Sequence, residues 1–147
     1  MKIRQLSLFL ENRPGQLRVP CKVLGDAGID ILTMSLADTQ QFGILRLVVR
    51  DWARAKEVLE KAGQVVNVTD LLALDVPDRA GGLAEVLEVF ERTGLGVEYM
   101  YAFTLRERGR SATLLFRLEE PDKAAVKLAS AGVSLVSAEE LFRRAGA

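Results

Sequence analysis

The stretch "ENRPGQL", Glu11 to Leu17, brings an amide (Asn12), a guanidinium (Arg13), a proline and a glycine together where an alternating apolar run gives way to a helical one. Such a corner suits anion binding. Asn12 at the strand-to-helix junction can cap the first helical turn, and Pro14 fits an early helical position that needs no amide donor. Gly15 then leaves room beside free backbone N–H groups at a positive helix end, the arrangement that receives a carboxylate or phosphate. The same residues also make a capped tight turn and nothing more, so spacing alone leaves both readings open. Arg13 can likewise be a carboxylate clamp or a solvated side chain. Other chemistry is thinly supplied. The chain has no histidine and one cysteine, Cys21, so the usual zinc ligands, an internal disulfide and a histidine base are missing. No clustered catalytic pair is visible. The expectation is a non-catalytic protein without metal or cofactor.

The corner has a near-copy downstream in "PDRAGGL", Pro77 to Leu83, and the duplication extends well beyond it. An offset of 66 matches Arg13, Gly15, Leu17, Gly28 and Met34 with Arg79, Gly81, Leu83, Gly94 and Met100. An offset of 69 then matches Ala55, Leu59 and Gly63 with Ala124, Leu128 and Gly132, so the second copy carries three extra residues between Met100 and Ala124. The polar stretch "RERGRS", Arg106 to Ser111, is where a longer turn would sit. Self-similarity at this period predicts two tandem modules, residues 1–70 and 71–147.

Each module reads as strand, helix, strand, strand, helix, strand. Leu6, Leu8 and Leu10 alternate with Gln5, Ser7 and Phe9, the period of a strand with one face on a core. Leu17, Cys21 and Leu24, and in the second copy Leu83, Leu87 and Phe90, recur at helical spacing, with Gly28 or Gly94 as the stop. Pro20 falls inside this first helix and predicts a kink or a late start. Two alternating runs around "TQQFG" form a hairpin. A second helix comes next, capped by Asp51, with Trp52, Ala55, Val58, Leu59 and Ala62 on its inner side and Gly63 as its stop. "QVVNV" closes the first module, and the chain ends in a short capped helix, "SAEELFRRAGA".

This order predicts the α+β ferredoxin-like fold: two βαββαβ modules, each an antiparallel sheet with both helices on one face. Strand alternation assigns the open face of module one to Ile31, Thr33, Ser35, Ile44, Arg46 and Val48. In module two it selects Val97, Tyr99, Tyr101 and Phe103 with Thr113, Leu115 and Arg117. Faces this apolar predict burial against another copy or a partner. Twenty basic residues balance twenty acidic ones, which argues against nucleic acid or an anionic membrane surface, and strands one and three lack the aromatic-basic signature of an RNA-recognition sheet. The N-terminal apolar run is interrupted by Gln5, Ser7 and Glu11, too early for a signal core or membrane span, so a cytoplasmic location is expected.

The residues "LENRPGQL" with Gly28, Ile29 and Asp30, and less closely "VPDRAGGL" with Gly94, Leu95 and Gly96, resemble the ACT domain, a small ligand-binding module attached to many enzymes of amino-acid metabolism. The resemblance covers nearly the whole of both modules. It implies pairing of modules edge to edge and a free amino acid bound in the seam between them, passed on as a change of conformation or assembly. It further implies ligand contacts from Leu10, Glu11, Asn12, Arg13, Pro14, Gly15 and Gln16, and from Asp30, Ile31 and Leu32 at the start of strand two of the neighbouring module. The amides near Gly15 and Asn12 would take the carboxylate, and Asp30 the ammonium. In the second copy Asp78, Arg79 and Gly81 correspond, Asp78 cannot donate to a carboxylate, and Gly96 replaces Asp30. Glu98, beside Tyr99, is then the available acid. The implied partners are an amino-acid effector and either a second copy in a homodimer or an enzyme. The alternative is a regulatory subunit that grips an amino-acid biosynthetic enzyme through its open sheet face, with weak or vestigial ligand binding.

Overall fold

A computed structural model of the chain describes residues 2–39, 41–103 and 111–146. The chain divides into two compact units, Arg4–Thr69 and Met1–Ile3 with Asp70–Ala147. The first contains most of β1 (Ile3–Glu11), then α1 (Arg18–Asp26), β2 (Thr33–Thr39), β3 (Phe42–Val48), α2 (Trp52–Lys61) and the start of β4 (Val66–Pro77). The second contains the rest of β4, α3 (Gly82–Thr93), β5 (Val97–Ala102), β6 (Ser111–Leu118), α4 (Pro121–Ser130), β7 (Leu135–Val136) and α5 (Ala138–Arg144). Twelve residues of β4 run unbroken through the boundary, so the strand that ends one repeat begins the next.

Both units have the split ferredoxin-like topology. In the second, β4 lies between β7 and β6, and β6 pairs with β5, all antiparallel. In the first, β3 lies between β1 and β2, again antiparallel. The two offsets read from the sequence reappear as ladder register. Leu10 faces Gly43 where Val76 faces Ala112, and Met34 faces Leu47 where Met100 faces Phe116. The "RERGRS" turn lies outside the described residues apart from Ser111, as does Gln40 in the hairpin turn.

Leucines at alternate positions of β1, Leu6, Leu8 and Leu10, pack with Leu45 and Leu47 of β3 against Leu24, Ala55 and Leu59 of the two helices. The second unit repeats this with Leu72, Leu74, Val76, Phe116 and Leu118 against Val86, Phe90, Ala124 and Leu128. The Phe90 and Phe116 rings meet at 5.1 Å in a tilted arrangement. Helix ends follow the expected chemistry. The Asp51 carboxylate accepts from the Arg54 amide at 3.1 Å, and Gly28 and Gly94 take the left-handed conformation (φ +68° and +71°) that closes the helices before them.

Several expectations need correction. Ala62 is the exposed C-cap of α2, and Leu17 precedes α1 and is also exposed, so neither joins the core. Ile31 and Val97 pack on the helix-covered side. Ile31 lies before β2 begins, and a bulge between Val97 and Tyr99 breaks the two-residue alternation. Nor is the second sheet's other face open: Thr113, Leu115 and Phe103 are almost wholly buried. Helix α5 lies on that face. Its Leu141 is fully buried, and its Arg144 donates to both oxygens of Asp75 at 2.8 and 3.0 Å, between the core-facing Leu74 and Val76. In the first unit the face carries exposed aromatics, Phe9 at 60% and Phe42 at 48%, but Thr33 and Val48, also expected on it, are buried.

Candidate functional site

The two corners share one backbone turn. In the first, the Arg13 amide donates to the Glu11 carbonyl at 2.8 Å and the Gln16 amide to the Arg13 carbonyl at 3.2 Å. In the second, Arg79 donates to Pro77 and Gly82 to Arg79, both at 3.0 Å. Gly15 and Gly81 stand at φ +88° and +84°, a conformation that any L side chain would strain, and this requirement keeps glycine in both copies.

The corners diverge at the helix that each turn leads into. Helix α3 starts at once, at Gly82, where an added Cβ would lie 2.0 Å from the Pro77 carbonyl oxygen. Helix α1 waits until Arg18, two positions later in the repeat, and its N-cap residue is Leu17. Two residues oppose an earlier start: Gln16, in Gly82's place, has the Cβ that such a close approach forbids, and Pro20 lacks the amide it would need. With the start at Arg18, Pro20 is the third helical residue, where a missing amide is harmless. A start at Gln16 would put it fifth, where its ring would meet a carbonyl one turn back. Asn12 therefore does not cap the helix, and Pro14 lies in the turn rather than the helix.

The delay leaves α1 with a bare positive end: no side chain caps it and no acid lies in its first turn. Helix α3 lacks a side-chain cap too but has Glu85 in its first turn, and Arg79 grips that carboxylate at 2.6 and 2.8 Å. The residue in Glu85's place in the first copy is Val19, and there Arg13 pairs with Glu11 instead.

Beside the bare end is a hollow of about 180 Å³, lined by Leu10, Glu11, Asn12, Arg13, Leu17, Leu36 and Gly43. Its lining divides into apolar residues, Leu10, Leu17, Leu36 and Gly43, and polar ones, Glu11, Asn12 and Arg13. Leu36, on the same sheet side as Leu45 and 53% exposed, forms one wall, and Gly43 opposite Leu10 leaves the space that a side chain would fill. Four of the residues named from sequence, Leu10, Glu11, Asn12 and Arg13, thus line one cavity. Pro14 and Gly15 are exposed in the turn beside it, and Gln16 is half-buried. Leu17, read from sequence only as a helix residue, completes the lining with Leu36 and Gly43, which the sequence reading does not single out, although a lone glycine inside the alternating run "FGILRLV" is a signal of close approach. A wider depression of about 450 Å³ on α2 is lined by Lys56, Glu57, Glu60 and Lys61, whose charges pair with one another at 2.6 Å. It is a solvated helix surface.

The start of the second strand is not part of this hollow. Thr33 pairs with Val48, whereas Glu11 pairs with Phe42 at the other end of β3. Asp30 is exposed at the far end of the unit from its own corner, with Ile31 and Leu32 half-buried beside it. The second unit is built the same way: Glu98 lies 3.3 Å from Arg117 and Tyr99 is half-buried, at the opposite end of β6 from Asp78, Arg79 and Gly81. Single modules do not join corner and strand start.

A doubled βαββαβ unit with glycine-turned corners is the architecture of a known family, and the family profile for an ACT domain pair matches residues 1–144. The chain belongs to the ACT domain pair family. Among solved structures, this ACT pair is similar to protein BT0572 from Bacteroides thetaiotaomicron, with 34% identity, a TM-score of 0.88, and 97% of this chain and 96% of that one covered. The regulatory subunit of aspartate kinase from Thermus flavus shares the fold at 16% identity and a TM-score of 0.64, with 97% and 94% covered. The corresponding Thermus thermophilus subunit, in its ligand-free form, does so at 14% identity and a TM-score of 0.62, with 89% and 93% covered. No curated protein matches the chain. Among the described residues, no helix of this ACT pair is long and apolar enough to cross a membrane, and no group of three or more acidic, cysteine or histidine residues is placed to hold a metal.

Proposed function

We propose that this ACT pair is a non-catalytic regulatory protein that binds a free amino acid at its first corner and passes the event on as a change of conformation or assembly. The observation that carries the reading is the bare N-terminus of α1 beside a hollow lined partly by apolar and partly by polar residues. A zwitterion with a side chain has that same division. Its carboxylate suits the uncompensated helix end and the Asn12 amide, its ammonium suits Glu11, and its side chain suits the apolar residues. Asp30, far from its own corner, enters only as an ammonium partner presented to another module, and Glu98 likewise. Regulation follows if the occupied corner favours one arrangement of the protein over another, because a ligand shifts an equilibrium only by its differential affinity.

Calorimetric titration with the twenty amino acids tests the reading. Binding should be seen at or below millimolar concentration. Asn12→Ala should weaken it roughly tenfold or more, the scale of a hydrogen bond to a charged group, while Asp78→Ala should leave it nearly unchanged. Absence of binding, or a larger effect at Asp78, would refute the proposal. The exposed Phe9 and Phe42 favour a second reading, in which this sheet face docks on an enzyme. A Phe9→Ser variant that still binds amino acid but loses its effect on that enzyme would place the contact there.

A further inference from the structure

Resting on the reading of the first corner as an amino-acid site, we propose that its hollow selects aliphatic side chains of about leucine size, with Gly43 and Leu36 as the specificity-determining residues. Three observations converge on this. Four of the seven lining residues are apolar, Leu10, Leu17, Leu36 and the glycine at 43, and they carry no charged or hydrogen-bonding side chain. The polar lining residues are consecutive, Glu11, Asn12 and Arg13, and the two ionic ones pair with each other. A hydroxyl, amide or charged side chain laid against these four residues would lose water there without gaining a partner, whereas an aliphatic one loses nothing.

Size follows from the volume. A water's share of the liquid is about 30 Å³, so a hollow of about 180 Å³ has room for roughly six heavy atoms. The four carbons of a leucine or isoleucine side chain fit with part of the main chain, and an indole does not.

Gly43 sets that limit. Its Cα would carry a side chain straight into the hollow, since it faces Leu10 across the β1–β3 ladder. A Cβ there would stand 3.1 Å from the Leu36 Cδ1, the far end of a flexible side chain, and Gly43 is not among the positive-φ glycines. Alanine is thus compatible with the strand and reduces only the space. At the matching ladder positions the second module has Ala112 for Gly43, Val76 for Leu10 and Ala102 for Leu36, so the two corners are not built for one side chain.

The test is calorimetry on the full chain with leucine, isoleucine, valine, alanine, threonine, aspartate and lysine. Leucine or isoleucine should bind at least tenfold more tightly than threonine, aspartate or lysine, with valine and alanine successively weaker. Gly43→Ala should lower leucine affinity several-fold and alanine affinity less than twofold, with an unchanged melting temperature. Tighter binding of threonine, aspartate or lysine than of leucine overturns the selectivity while leaving the amino-acid site standing. So does a Gly43→Ala variant that weakens leucine and alanine equally. If none of these amino acids binds and none of the remaining thirteen does, the underlying reading falls and this inference with it.

Discussion

The contrast between Val19 and Glu85 offers the sharpest perturbation of the corner. Val19 is the second residue of α1, 42% exposed, and occupies the place in the repeat that Glu85 fills in α3. Val19→Glu would give α1 the internal acid that α3 already has. Two consequences of opposite sign result. A carboxylate in the first turn complements the helix dipole and should stabilise the fold by about 0.3–1 kcal/mol, raising the melting temperature by a few degrees. The same charge would compete with a ligand carboxylate at the same end. At roughly 5 Å and an effective dielectric between about 40 and 80, the repulsion is about 0.8–1.7 kcal/mol, or roughly four- to seventeen-fold in Kd. Arg13 gains a second acid to pair with, as Arg79 does with Glu85, which pushes in the same direction. Calorimetry and thermal unfolding should be run on Val19→Glu beside Val19→Gln, which is similar in shape but neutral. The expected result is a more stable protein with weaker binding for the acid and near-normal binding for the amide, the gap narrowing as salt is raised. Equal affinities for the two variants would refute the placement of the ligand carboxylate at the α1 terminus.

Two further predictions concern the helix that covers the second sheet. Arg144→Ala removes the cation from Asp75, whose side chain is only 16% exposed, and leaves the Thr113 hydroxyl donating to it at 3.0 Å, so the second unit should lose about 2–3 kcal/mol in denaturant unfolding. Asp75→Asn combined with Arg144→Met should recover part of that loss, and a full loss in the double variant would show that the pair's charge was not the cause. Glu140 accepts from Arg143 and Arg144, which lower its pKa from 4.5 to about 2. Because the folded value is depressed, its contribution is complete above about pH 4.5 and fades as the pH falls toward 2. Glu140→Gln should flatten the acid limb of the stability profile over that window, and an unchanged limb would assign the acid sensitivity to other groups.

Much of the fold is legible in the sequence because it rests on local chemistry repeated twice. The paired glycines, the Asp51 cap and the alternating leucines each constrain their neighbours by sterics or hydrogen bonding, and each stands where the spacing puts it. Illegible are the features set by a single irregularity or by a long-range choice. The bulge at Val97 is one: alternation counts residues, and an inserted one reverses every face before it. The seating of α5 is another. Its amphipathic pattern requires that one side be buried, while the choice of face depends on Asp75, 69 residues away, pairing with Arg144. At the corner, the type and place of Asn12 fit a cap, but the helix begins two positions too late for its side chain to serve as one.

Pro20 connects these observations, and it turns the inequality of the two corners into a physical sequence of causes. Its ring, together with the Cβ of Gln16, moves the start of α1 from the position used by α3 to Arg18, which releases Leu17 from the helix and opens the space between it, Leu36 and Leu10. Val86 stands at the corresponding place in α3 and is buried in the core, its amide free to join the helix, and Gly82, without a Cβ, lets that helix begin against the Pro77 carbonyl. The same turn therefore leads into two different corners. One is closed by its own helix and neutralised by its own glutamate. The other is left open and positive beside apolar lining residues, which is the state a site must be in before it can bind anything.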